Sequence, residues 1–578
     1  MNRVVLAFAA LAALAPALPA QQARADSIAS AYWQSQLDRY PEMATVDGFP
    51  GARNGRLVDL TPAAFDAYDA RLRALERAAA TVDASGLSPA GQVTLRMLQE
   101  SLAGDLSQRV CRTELWSVDQ QRGLQVTLPD LAAIQRTDTD EERALFLSRW
   151  RRIGDLIDQQ VLDLRAGLAA GYSAPMVDVR RVIGQLEHLV ATPIDSDPLL
   201  PAAARSDALH RDDRWAGQVQ AEVADVIIPS FRRYLEFLRQ VYLPRARTAP
   251  GVTANPDGAA CYRARIRDET TLDLGADSIH AIGLADVAAT RREMLALAQG
   301  SFGTSNLDSL LQAMRADTSL SFRTGDEVLA AAEAAVERVR AHLPALFGRL
   351  PTQQVMVVPM PAYESADAPA AYYYPGSVDG GRPGRFLVNT SSPRSRPRYT
   401  IEALTYHEAI PGHHLQISLA QQLPLPEFMR YGGTTAFTEG WALYAERLAD
   451  EQGFYSDDLQ RMGMLFFRSW RACRLVVDTG IHALGWPRDS AIAYLTANTG
   501  LSRADVENEV DRYIADPGQA LAYRLGEREL LALRAEARTR LGPRFDLKAF
   551  HDAVLANGSV SLPILHDIIE SWITAQGH

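Results

Sequence analysis

Residues 405–420 read TYHEAIPGHHLQISLA, and how that stretch folds decides how the rest of the chain is understood. His407 and Glu408 form the front half of a zinc-hydrolase signature. In the plain form, histidines at i and i+4 share one helix face and the glutamate beside the first acts as general base. Position 411 is proline, so the plain form is absent. The next histidines, His413 and His414, stand six and seven positions after His407, a rise of about 9 to 10.5 Å on an ideal helix. That is a long span for ligands whose metal bonds are about 2.0–2.1 Å. Pro411 offers the remedy. It cannot donate a hydrogen bond to the His407 carbonyl and would clash with it, so the helix breaks or bulges there. Looping out two residues brings His413 into the i+4 place, and looping out three brings His414. The smaller distortion favours His413.

A third ligand candidate lies downstream in TTAFTEGWALYAERL, residues 434–448. Glu439 sits near the start of this helical stretch, 26 positions after His413, a gap that lets a second helix fold back beside the first. Two histidines and a glutamate leave zinc a fourth position for water. The competing reading of Glu439 is an acid complementing a helix N-terminus. Glu446, two turns later, is expected on a solvated face.

The segments HEAIPGHHLQ, TEGWALYAE, RLVVDTGIH (474–482) and DRYIADPGQALAY (511–523) together resemble the bacterial family catalogued as domain of unknown function 885. Its pattern HExxPGHxxQ is matched at His407, Glu408, Pro411, Gly412, His413 and Gln416. The resemblance covers roughly residues 30–575, with four motifs in order. That family in turn resembles the mostly helical gluzincin peptidases, such as thimet oligopeptidase and angiotensin-converting enzyme, which use two histidines and a distant glutamate around zinc. The two extra residues before the second histidine are a departure from those peptidases. The resemblance implies zinc at His407, His413 and Glu439, with Glu408 as base. By analogy with the tyrosine those peptidases place opposite the metal, it also implies Tyr523 as oxyanion donor, with Tyr513 in reserve.

The N-terminus, MNRVVLAFAALAALAPALPAQQARA, has a basic start, an apolar middle and small-residue exits. It reads as a cleaved secretory signal over residues 1–25. No cysteine follows to carry a lipid, and the expected location is periplasmic or secreted. Cys111, Cys261 and Cys473 are the three thiols. One disulfide, with Cys111 and Cys261 preferred, plus one buried thiol fits an oxidising compartment. A hydrophobic content of 47% suffices for a large core. The net charge of −11 argues against a nucleic-acid surface.

Helical periodicity dominates from Ser27 to about Val110, and again over 140–172, 219–243, 276–299 and 325–350. An Asp or Ser cap is expected at the start of the 276–299 helix. A loop rich in Pro, Gly and Ala at 245–260 is a possible sub-boundary within one body spanning 26–578. Alternating patterns at 353–361, 370–376 and 384–390 predict three short strands just before the HE stretch. The fold class is therefore mainly α, with a large helical body, a deep active-site cleft and a small β-sheet next to the zinc-binding helix.

Zinc peptidases bind extended substrates along exposed edge strands, which makes Phe386–Asn389 the expected edge, with Asn389 as a substrate hydrogen-bonding group. The competing reading is an ordinary hairpin whose tyrosines, Tyr372 to Tyr374, pack on helices. Downstream, Arg474, Asp478 and His482 recur at i, i+4 and i+8 on one helix face. His482 is a candidate transition-state donor, and Asp478 fits a satisfied buried network. Gln519 shares a face with Tyr523 and joins Arg474 and Arg512 as a substrate-binding candidate, either arginine pairing with a substrate carboxylate. The expected reaction is zinc-dependent cleavage of a peptide bond, with carboxypeptidase action favoured if such a pair forms. Two alternatives stand: a zinc hydrolase of other amides or esters, and an exported binding protein that keeps metal for stability. Neither nucleic-acid binding nor stable membrane insertion is expected.

Overall fold

The computed structural model describes residues 17–205, 214–361, 369–378 and 380–577. Residues 1–16 of the expected signal lie outside these, and the first helix runs Ala17–Arg39. The chain is mainly helical, with one small sheet, and the helices follow the apolar periodicity. The 140–172 stretch is two helices, Asp140–Trp150 and Ile153–Ala169. The first opens on a reciprocal capping box between Thr139 and Glu142. Thr324 caps Gly325–Arg340 in a similar way, its side chain accepting from the Glu327 amide. The helix Ala276–Ser301 departs from expectation: its cap is Gly275, with no side-chain bond.

The three strands are β1 (Met356–Pro359), β2 (Ala371–Tyr374) and β3 (Arg385–Val388), each inside its expected segment. Their order is β1-β3-β2, with β1 parallel and β2 antiparallel to β3. The expected edge at Phe386–Asn389 is therefore corrected. Phe386 to Val388 lie in the central strand, whose backbone groups are used on both sides, and β2 is the edge that reaches the HE helix.

The largest core joins N-terminal helices, the sheet and C-terminal helices through residues such as Trp33, Phe386, Tyr406, Trp441 and Phe550. A second core, from Val118 to Ala246, is centred on Trp150, Phe231 and Tyr234. The 245–260 loop that follows is tied down, with the Arg247 amide donating to the Ala174 carbonyl and the Val252 amide to His482 Nδ1. Cys111 and Cys261 form the expected disulfide and Cys473 is a buried free thiol. Among the described residues, no helix is long and apolar enough to cross a membrane.

Two helices decide where the functional groups meet. Thr435–Glu451 and Gln519–Leu541 pack along each other, touching through Gly440 and Gly526. A Cβ at Gly526 would lie 1.9 Å from the Ala436 carbonyl oxygen, and one at Gly440 would lie 2.5 Å from the Gly526 carbonyl carbon. Only glycine allows this approach, and it sets Glu439 and Tyr523 on facing backbones.

Candidate metal centre

The HE helix, Ile401–Glu408, stops at Ala409, and a second helix begins at His413 and runs to Gln422. The break is built from named contacts. The Ile410–Pro411 peptide is cis, and the Trp441 indole donates to the Pro411 carbonyl at 2.9 Å. Gly412 presses against the first helix, where a Cβ would fall 1.9 Å from the His407 carbonyl oxygen. Trp441 lies two residues after Glu439 on the same helix, so one helix both braces the break and supplies the third group.

The break brings His407, His413 and Glu439 together, with a ligand atom from each within 4.8 Å of the others. Glu439 Oε2 is 3.5 Å from both His407 Nε2 and His413 Nε2. Tetrahedral ligands at about 2.0–2.1 Å from an ion lie about 3.3–3.4 Å apart, whereas good hydrogen bonds are shorter than the distances seen. Glu439 Oε2 and His413 Nδ1 are buried without a hydrogen-bond partner among the described residues. Buried polar atoms are seldom left in that state, and an oxygen shared at equal distance by two imidazoles fits a divalent ion of the zinc type. Among the described residues, no other trio of potential ligands is gathered this way.

The surroundings separate the two adjacent histidines. His414 points away: its Nε2 donates to the Gln353 carbonyl at 3.0 Å, and its Nδ1 accepts from the Tyr373 hydroxyl at 3.0 Å. Burial pushes it down to about 4. His407 is held by Glu446, whose Oε1 lies 2.8 Å from Nδ1. A carboxylate in this position fixes the ring so that Nε2 faces Glu439. The solvated-face expectation for Glu446 is thus corrected, because its side chain is buried. Burial acts to lower His407, but the carboxylates of Glu439, Glu446 and the nearby Glu408, which favour its charged form, raise it to about 9. In Glu439 the order reverses. Burial would raise the carboxyl, yet the two histidines hold it well below the carboxylate range.

Glu408 lies beside the trio. Its Oε2 accepts the amide of Tyr373, on edge strand β2, at 2.9 Å. Burial lifts its carboxyl above the usual value, opposed by His407 and His413. On the facing helix the Tyr523 hydroxyl accepts from Gln519 Nε2 at 3.3 Å. Burial and the Glu439 charge both raise Tyr523, keeping it protonated.

Other sequence candidates are placed differently. Asn389 is fully buried, its Oδ1 accepting from the Ser391 amide and hydroxyl and its Nδ2 donating to the Pro369 carbonyl, so it is a structural clamp. His482 has both ring nitrogens engaged, Nδ1 by the Val252 amide and Nε2 by the Tyr513 carbonyl at 2.8 Å. No nitrogen remains to serve a transition state. Tyr513 is also occupied, its hydroxyl accepting from Trp470 Nε1 and Arg474 Nε. Arg512 is spent on Glu509 and Gln519. Arg474 shares Glu509 but keeps Nη1 buried and unpaired.

Fold and centre together define a mainly helical protein whose broken HE helix and facing helix assemble a group of two histidines and one carboxylate. The chain belongs to the family described as "Bacterial protein of unknown function (DUF885)", whose model matches residues 41–569. It is similar to a crystal structure described as a "putative lipoprotein" from Colwellia psychrerythraea, with 27% identity and a TM-score of 0.88 over 96% of this chain and 100% of that one. A second, a "putative lipoprotein of unknown function" from Shewanella oneidensis, shares the fold at 18% identity and TM-score 0.74, over 94% and 99% of the two chains. No curated protein matches the sequence.

Proposed function

We propose that this protein is an exported zinc-dependent hydrolase of peptide bonds, related in chemistry to the helical gluzincin peptidases. The observation that carries the reading is Glu439 Oε2 standing 3.5 Å from Nε2 of both His407 and His413. Zinc held there would supply Lewis acidity and lower the pKa of a water in its open position. The chain's own groups do the rest. Glu408, steered by the Tyr373 amide and lifted by burial, takes the proton of the attacking water and passes it to the leaving amine. Tyr523, protonated and across from Glu439, donates to the oxygen that gains charge. Edge strand β2 meets Glu408 and offers extended substrate a backbone to pair with.

Export is supported by the basic and apolar N-terminal sequence, by the Cys111–Cys261 disulfide and by the description of the Colwellia psychrerythraea structure as a putative lipoprotein.

Elemental analysis of the purified protein should give one zinc per chain, and a peptide library read by mass spectrometry should show cleavage. Glu408→Gln should keep the zinc and lose turnover by at least about 10²-fold, the lower end of general-base contributions. Full activity in that variant would refute the assignment. Zinc retention with no hydrolysis by freshly prepared protein would instead favour the metal-stabilised binding protein.

A further inference from the structure

Beside the centre lies a group of positive charges that its own surroundings leave underpaired. Arg471 and Arg474 sit one turn apart on the helix Asp458–His482 and are 4% and 3% exposed. Both guanidinium groups lie over Trp470, at 4.0 and 4.4 Å from the ring centre. Arg471 Nε and Nη1 and Arg474 Nη1 are buried with no hydrogen-bond partner among the described residues. Glu509 is the carboxylate that bonds Arg474, and it also serves Arg512. Other arginines nearby are accounted for: Arg468 pairs with Glu527, and Arg524 with Asp286 and Glu527.

An unpaired buried guanidinium is costly, and arginine cannot escape by losing its proton. The usual remedy is a carboxylate bound in the plane of the fork. The location is set by Tyr523. Its ring centre is 4.1 Å from the Arg474 guanidinium carbon, and its hydroxyl feels both the Glu439 charge and that of Arg474. Arg471 is within electrostatic reach of both Tyr523 and Glu446, the carboxylate that holds His407. The arginines and the metal ligands thus flank the same tyrosine.

We propose that Arg471 and Arg474 form a carboxylate-binding subsite for the free C-terminus of a peptide substrate. This rests on the hydrolase reading and narrows it. The bond cleaved lies within a short reach of the C-terminus, and a chain ending in an amide is a poor substrate. Arg512 and Gln519 are positioning residues, keeping Glu509 and the Tyr523 hydroxyl in place.

The test uses the full-length protein loaded with zinc and a set of N-acetylated tetrapeptides, each made as the free acid and as the C-terminal amide. For cleaved sequences, kcat/KM for the acid should exceed that for the amide by about 10- to 100-fold, the range for losing a charged hydrogen bond. Arg471→Gln and Arg474→Gln should each shrink that ratio. Equal rates for acid and amide in the unmodified protein would overturn the subsite while leaving the hydrolase intact. A ratio unmoved by both substitutions would overturn it as well. Calorimetry of the zinc-loaded Glu408→Gln protein with the same acid and amide pairs reads the subsite without turnover. Tighter binding of the acid supports it even if no hydrolysis is found, and equal binding sinks it.

Discussion

Two buried polar clusters share this fold and differ in one respect. At the candidate metal centre, His407, His413 and Glu439 approach each other at distances too long for good hydrogen bonds and leave atoms unpaired among the described residues. In the second, Asp478 accepts from the Tyr262 hydroxyl at 2.6 Å and from the Gly518 amide, and His482 has a partner on each nitrogen. Both hold histidine and carboxylate in an apolar interior. The second is closed upon itself and ties the 252, 262, 513 and 518 segments together, whereas the first keeps buried polar atoms without partners among the described residues. Burial alone does not mark a site; unmet valence within burial does.

Paired substitutions should separate the clusters. Glu439→Gln should abolish zinc retention, measured by elemental analysis after dialysis, and change unfolding of the metal-free protein little. Asp478→Ala should do the reverse. Leaving the Tyr262 hydroxyl and the Gly518 amide without their acceptor should destabilise the fold by about 2–5 kcal/mol in denaturant unfolding, with zinc stoichiometry kept. If Glu439→Gln retained its zinc, the distinction between the clusters would fail. Next in size is Gly526→Ala. The added Cβ meets the Ala436 carbonyl, so the two helices must separate. A shift of about 1 Å between Glu439 and Tyr523 should cost about 10²-fold in kcat with zinc still bound. Smaller again is Glu446→Gln, which weakens the hold on His407 Nδ1. Zinc affinity, read by competition with a chelator, should fall about 10- to 100-fold.

Much of this was legible in the sequence because it rested on local rules. Pro411 had to break the HE helix, a minimal loop-out favoured His413, and Glu439 lay at a gap suited to a returning helix. Alternating residues gave all three strands to within a few positions. Strand order was not legible. β3 takes the middle because β1 pairs with it in parallel across an intervening strand, a connection that no local pattern encodes. The placement of Glu446 also escaped, since a glutamate within TEGWALYAERL looks solvent-facing until the HE helix covers it. The i, i+4, i+8 stripe marks Arg474 but leaves out Arg471, one turn before it. The unpaired Nε and Nη1 of Arg471 depend on which partners the fold brings to it, which no local pattern encodes.

The closed cluster can also be probed by pH, where the effect is small per pH unit. Burial lifts Asp478 to about 7, against the opposing pull of Tyr262 and Gly518, while its ordinary value in an unfolded chain is about 3.9. Between those values the folded state holds a proton that the unfolded state has released, so this group makes stability fall as pH rises. Below the window both states are protonated, and above it both are ionised and the loss is constant. His482, pushed down by burial to about 4, acts in the opposite sense, its stability present above about 6.5 and lost as pH falls toward 4. In the native protein the two slopes oppose each other over nearly the same window. Asp478→Asn removes only the first. Its unfolding free energy relative to the unmodified protein should therefore climb between pH 4 and pH 7, by at most about 1.4 kcal/mol per pH unit, and level off above. A difference independent of pH would mean that the Asp478 carboxyl titrates in the folded protein as in the unfolded chain, the hydrogen bonds from Tyr262 and Gly518 fully offsetting the burial that lifts it.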